Sequence, residues 1–211
     1  MILIGMFDSP FVRRVAISMK LLGLPFEHRN WSVGKDQAEI RRYNPVGRVP
    51  TLVLDTGEVL IESAAILDYL DELAGSPRAL LPASGEPRRH ALKLMALAIG
   101  AVEKGLWQVM EIVFRPAEKR HEPWTTRCAG QMQDALAELE EACAALPSDG
   151  WLVGDRLGQA DITLTCVFTY LCEAVRLDAS RYPALARHAG RCNELPEFRT
   201  AYAPFFAPDP R

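Results

Sequence analysis

Apolar positions in the first eighty residues come in short runs separated by turn residues. Residues 2–7 read as a strand, and Ser9-Pro10 then opens a helix, with Ser as N-cap and Pro at the first helical position, where its missing N–H is no loss. That helix runs to Leu22. Gly23 supplies the left-handed residue past its end, and Pro25 prevents continuation. Further β-type runs cover residues 26–31, 49–54 and 59–61. The last two are joined by Asp55-Thr56-Gly57-Glu58, a Gly-containing connection that predicts an antiparallel hairpin. A helix beginning at Glu62-Ser63 follows, and the alternation as a whole predicts a mixed α/β unit.

The period changes after a cluster of breakers, Gly75-Ser76-Pro77 and Pro82-Ala83-Ser84-Gly85-Glu86-Pro87. Beyond it, residues 88–114, 124–146, 161–175, 183–193 and 196–203 carry helical spacing and no strand pattern. In the second of these helices Cys128, Met132, Ala135, Leu136, Leu139, Ala142, Cys143 and Leu146 form one apolar stripe, with Glu138, Glu140 and Glu141 off it. The stripe reads as core. The expected organisation is an α/β domain over residues 1–78 and an all-helical domain over residues 87–211.

Composition narrows the function classes. The chain has 211 residues with 24 Lys+Arg against 27 Asp+Glu, a net charge of −3, and no basic block longer than two residues, which argues against nucleic acid and anionic membrane as partners. Residues 162–172, the longest relevant charge-free apolar stretch, fall short of the ~20 needed to span a bilayer. The first residues lack a basic stretch and a cleavage site, so they read as a strand and not as an export signal. Five cysteines, at 128, 143, 166, 172 and 192, form no C-x-x-C and no even framework, so reduced thiols in a cytoplasmic protein are expected. The histidines at 28, 90, 121 and 188 show no ligand spacing, and no metal site is expected. Neither a phosphate-binding glycine loop nor a G-x-S-x-G turn occurs.

The residues able to carry chemistry lie in the first domain. Ser9 is a helix cap, or else a hydroxyl placed where a helix N-terminus stabilises a bound anion such as a thiolate. Glu62-Ser63 again puts a Ser at a helix start, where it reads as a cap with a solvated carboxylate before it. Val49-Pro50 fits the start of a strand, a position that tolerates proline.

Three segments together resemble one family. Ser9-Pro10-Phe11-Val12-Arg13-Arg14-Val15, Asn44-Pro45-Val46-Gly47-Arg48-Val49-Pro50-Thr51-Leu52 and Glu62-Ser63-Ala64-Ala65-Ile66 are similar to the thioredoxin-like half of the cytosolic glutathione S-transferases, in particular bacterial members with serine at the active position. Residues 151–164, with Gly154-Asp155 and Ala160-Asp161-Ile162, resemble that family's helical half. The resemblance implies a cis bond before Pro50, with Val49 pairing its backbone with the cysteinyl part of glutathione. It also implies Glu62 and Ser63 on the γ-glutamyl end, Arg48 on the glycyl carboxylate, and Ser9 donating to the sulfur. A hydrophobic pocket from Phe11, Trp107, Met110 and Phe114 and a homodimer are further implications. Asp161 takes the place of the family's helix-capping aspartate, with Gly158 standing where a Ser or Thr is usual.

The function so implied is a glutathione transferase that uses glutathione as co-substrate, presenting its thiolate to a hydrophobic electrophile. A glutathione-dependent isomerase, dehalogenase or peroxide reductase shares that chemistry. A binding or regulatory protein on the same fold is the alternative of a different class.

Overall fold

The computed structural model describes residues 1–206, which form two compact units. The first comprises Met1–Ala83 together with Glu194–Pro204, and the second Ser84–Asn193 together with Phe205 and Phe206. Residues 194–204 thus belong to the first unit.

In the first unit β1 (Ile2–Ile4), β2 (Glu27–Arg29), β3 (Thr51–Val53) and β4 (Val59–Ile61) make one sheet in the order β2-β1-β3-β4. β1 runs parallel to β2 and antiparallel to β3, with Ile4 opposite Arg29 on one side and Thr51 on the other. β3 and β4 form the expected hairpin, with Leu52 opposite Leu60. Leu3 and Ile4 point to opposite faces, and both are fully buried, so the central strand is covered on each side. β1 is shorter than the apolar run because Gly5 adopts φ +132°, a conformation that ends the strand.

Helix α1 (Pro10–Leu21) packs against α3 (Ser63–Ala74), and the short α2 (Gln37–Arg41) contributes the buried Ile40. The segment after α3 is pinned by Asp71, whose carboxylate accepts the N–H groups of Leu80 and Leu81 at 2.8 and 3.1 Å. Arg78 donates to the carbonyl of Leu22.

The second unit is built on α4 (Gly85–Phe114), α5 (Glu122–Ala144), α6 (Gln159–Ala174) and α7 (Pro183–Asn193). Of the α5 stripe, Cys128, Met132, Leu136, Leu139 and Cys143 are buried. α4 and α6 approach closely at Gly105, where a Cβ would lie 2.3 Å from Leu171 Cδ2. In the first turn of α6 the Asp161 carboxylate accepts the N–H groups of Gly158 and Leu152, both at 2.9 Å. Gly158 has no side chain to return the bond, so the reciprocal box is one-sided. Among the described residues no helix is long and apolar enough to cross a membrane.

The last helix, α8 (Pro196–Arg199), belongs to the first unit and lies on α1. Arg13, buried within α1, donates to the carbonyls of Ala201 at 3.0 Å and Phe198 at 3.3 Å, and its guanidinium lies over the Tyr202 ring. The helix ends at Arg199 where its pattern extended to 203; Pro204 has no N–H to continue it and disfavours a helical Ala203. Phe205, in the second unit, sits edge-on to Tyr170.

Candidate active site

Ser9 precedes α1 with extended dihedrals (φ −73°, ψ 121°), and its Oγ accepts the N–H of Val12 at 3.4 Å. That separation is at the long limit for such a bond. The hydroxyl is half-buried and has no other partner among the described residues. It is a cap only weakly engaged with its helix, next to unpaired N–H groups and the positive end of a 12-residue dipole.

The turn that delivers Ser9 is braced from two sides. A Cβ on Gly5 would lie 2.5 Å from Val12 Cγ2 and 2.8 Å from Val49 Cβ, so the absence of a side chain lets the end of β1, the first turn of α1 and Val49 meet. The Gly5 carbonyl lies 2.7 Å from His28 Nε2, and the His28 ring stacks on Phe7 at 3.9 Å. Val49 itself is held by the loop before it. Buried Asn44 accepts the N–H of Val46 at 3.0 Å and donates to the carbonyl of Arg48 at 2.9 Å. The Val49–Pro50 bond is cis. Among the described residues neither the N–H nor the C=O of Val49 has a hydrogen-bond partner, leaving one donor and one acceptor for an extended backbone.

The opening of α3 differs from the expected serine cap. Glu62 is the N-cap, at φ +72° and ψ 126°, and Ser63 is the first helical residue. A non-glycine residue in this region costs about 1–3 kcal/mol and persists where surrounding contacts enforce it. Those contacts are visible: Glu62 Oε1 accepts the Ala64 N–H at 3.3 Å and the Ser63 hydroxyl at 3.0 Å. A carboxylate oxygen thus already sits on the donors of a helix N-terminus, while the Glu62 residue itself is exposed. Beneath it Ser63 is fully buried, and its Oγ accepts a 2.7 Å bond from Arg14 Nη2, which reaches across from α1.

The remaining candidates are less embedded. Arg48 is exposed, and its guanidinium pairs with no carboxylate among the described residues. Phe11 is half-buried in the first turn of α1. In the second unit Trp107, Met110 and Phe114 are 53%, 39% and 74% exposed along one side of α4, and Trp107 meets Trp124 of α5 edge-on at 6.3 Å. All five cysteines are free and belong to the second unit. Burial pushes the Cys143 thiol up to about 12, and the Cys172 and Cys192 thiols up to about 11, so none of the three is a thiolate near neutrality.

Comparison with known proteins gives this arrangement a lineage. The description "Glutathione S-transferase, N-terminal domain" matches residues 3–78, and "Glutathione S-transferase, C-terminal domain" matches residues 122–191. The maleylacetoacetate isomerase of Pseudomonas aeruginosa is 32% identical over 199 residues, covering 90% of this chain and 89% of its own length. The chain belongs to the glutathione S-transferase family. Among solved structures, a glutathione S-transferase from Methylobacterium radiotolerans in complex with glutathione sulfonate superposes with a TM-score of 0.89 at 30% identity, covering 97% of this chain and 96% of that one. A glutathione transferase family member from Pseudomonas fluorescens with bound glutathione gives 0.84 at 30% identity, covering 97% and 99%. The thioredoxin-like sheet followed by a helical bundle is the glutathione S-transferase fold.

Sequence reasoning missed the residues behind the site. Arg14, Asn44, Gly5 and His28 touch the predicted residues or the turns that carry them, yet none was singled out. Arg13 and Arg14 did leave a signal. They are the only charged positions between Pro10 and Met19, inside a helix otherwise built of apolar residues and Ser18. Two arginines on the buried side of a helix must be satisfied by something specific.

Proposed function

We propose that the chain is a glutathione-dependent enzyme that holds the tripeptide along its first unit and activates the thiol for attack on an apolar electrophile. The observation that carries this reading is the state of Ser9: a half-buried hydroxyl at a helix N-terminus, with a single long bond to its own helix. On binding, Ser9 Oγ–H donates to the glutathione sulfur. Each tenfold gain in thiolate fraction needs ~1.4 kcal/mol of preferential stabilisation. A hydrogen bond to a charged group supplies about 1.5–3 kcal/mol and a helix N-terminus about 0.3–1, which together suffice for roughly a twentyfold to nearly thousandfold gain. The thiolate then forms the bond to carbon and the leaving group departs with its electron pair.

The other contacts follow the tripeptide. Val49, before Pro50, pairs its free N–H and C=O with the cysteinyl backbone. The γ-glutamyl carboxylate takes the place of the Glu62 oxygen on Ser63 O–H and Ala64 N–H, and Glu62 turns to the ammonium. Arg48 meets the glycyl carboxylate. Exposed Trp107, Met110 and Phe114 on α4 bind the apolar body of the acceptor. The exposed apolar residues Val46, Ile61 and Leu73 of the first unit support a homodimer, which sedimentation checks directly.

Isothermal titration with glutathione tests the reading: saturable binding at sub-millimolar to millimolar ligand is expected, and no heat at millimolar concentration removes it. A second reading is favoured by the relative named maleylacetoacetate isomerase. Here the same thiolate adds to a conjugated cis double bond, the adduct rotates, and the thiolate leaves. Glutathione is then regenerated, so substrate turnover without net thiol loss distinguishes isomerisation from conjugation.

A further inference from the structure

Arg14 stands out among the groups that the proposed mechanism does not use. It is 2% exposed in the middle of α1, and its Nη2 lies 2.7 Å from the oxygen of Ser63 on a different helix. A guanidinium can only donate, and a serine hydroxyl has one hydrogen to give. Arg14 therefore occupies a lone pair of Ser63 Oγ, and the Ser63 hydrogen is directed elsewhere. It goes to Glu62 Oε1, 3.0 Å away at the opening of α3, where a carboxylate oxygen also takes the Ala64 N–H. Ser63 is fully buried, so water cannot replace Arg14 in this role.

On the footing of the glutathione site above, we propose that Arg14 is a positioning residue for the γ-glutamyl carboxylate: it sets Ser63 as an outward donor at the N-terminus of α3. The carboxylate that displaces Glu62 finds the hydroxyl hydrogen already aimed at it. The cationic partner behind the oxygen also polarises the O–H toward the anion. Arg14 touches no part of the ligand. Without it the Ser63 hydroxyl is free to rotate and to spend its hydrogen on a neighbouring carbonyl, and the anion loses its most buried donor.

The proposal predicts which part of the ligand feels the change. Titrations compare glutathione with 4-aminobutyryl-Cys-Gly, which lacks only the γ-glutamyl α-carboxylate, on wild type, Arg14→Gln, Arg14→Lys, Ser63→Ala and the double variants. Arg14→Gln weakens glutathione about tenfold, leaves the analogue unchanged within twofold, and adds nothing in a Ser63→Ala background. Arg14→Lys, which keeps the charge and a donor, loses only about threefold, a loss that likewise disappears beside Ser63→Ala. It is the variant read if Arg14→Gln does not fold. An equal loss for both ligands, an additive loss in the double variant, or no loss makes Arg14 a packing residue and overturns the proposal while leaving the glutathione reading intact. A wild-type protein that fails to bind glutathione overturns both.

Discussion

Ser9 and Ser63 stand at the openings of two helices of the same unit, and their surroundings differ in nearly every respect. Ser9 is half-buried and makes one 3.4 Å bond to its own helix. Ser63 is fully buried, bound at 2.7 Å by an arginine from another helix and at 3.0 Å by the carboxylate before it. A weakly engaged hydroxyl can follow a group whose charge changes during a reaction, whereas a locked one can only recognise a group whose charge is fixed. The thiol end of glutathione is of the first kind and the γ-glutamyl carboxylate of the second. On the proposed reading, activation belongs to α1 and recognition to α3.

The severest way to break this contrast is to disturb the point that braces the α1 end. Gly5→Ala places a methyl group 2.5 Å from Val12 and 2.8 Å from Val49 at φ +132°, and a loss of roughly 3 kcal/mol in urea unfolding is expected. A near-neutral result would mean that the strand end can move and that Ser9 is not held by it. Ser63→Ala removes the locked donor: glutathione affinity should fall about thirtyfold while turnover at saturating ligand stays within threefold of wild type. Ser9→Ala should do the reverse, lowering turnover on an aryl halide about tenfold with glutathione affinity nearly unchanged. If both substitutions reduced affinity alone, the division between the two helices would be lost. Trp107→Ala is expected to raise the KM for the apolar acceptor by about threefold and to leave glutathione binding alone, seen in steady-state kinetics with either substrate varied.

The smallest effect concerns pH and keeps the interpretation clean. Because burial holds Cys143 near 12 and Cys192 near 11, both stay neutral below those values, and raising the pH from 6 to 9 should leave them unlabelled by iodoacetamide in the folded protein. These thiols ionise in the unfolded chain first, so their contribution is intact at neutral pH and is lost as pH rises toward about 11. Labelling of either cysteine in the native protein at pH 8 would contradict the burial.

Much of this was legible in the chain because it is written in local patterns. The hairpin across Gly57, the helix opening at Ser9-Pro10 and the α5 stripe depend on near neighbours, and the sheet and bundle follow from them. α2 was not legible: it is five residues long, mostly polar, and contributes a single buried side chain. Nor was the true cap of α3, because Glu62 takes a positive φ only under the combined hold of Ala64 and Ser63. Arg14 and Asn44 act at a distance of 49 residues and through a loop, respectively, and no spacing rule reaches them. At the site, Ser9, Val49, Pro50, Glu62 and Ser63 were visible in motif form, whereas the bonds from Arg14 and Asn44 that hold them depend on the tertiary fold.

The division of labour is tested most directly by the ultraviolet absorbance of the bound thiolate, followed against pH in wild type and Ser9→Ala at saturating glutathione. With Cys143, Cys172 and Cys192 neutral over this range and the absorbance of the ligand-free protein subtracted, the signal reports the ligand sulfur. The account predicts that removing the Ser9 hydroxyl shifts the midpoint upward by about one pH unit or more while the dissociation constant stays within threefold. Superimposable titrations of the two proteins would contradict it.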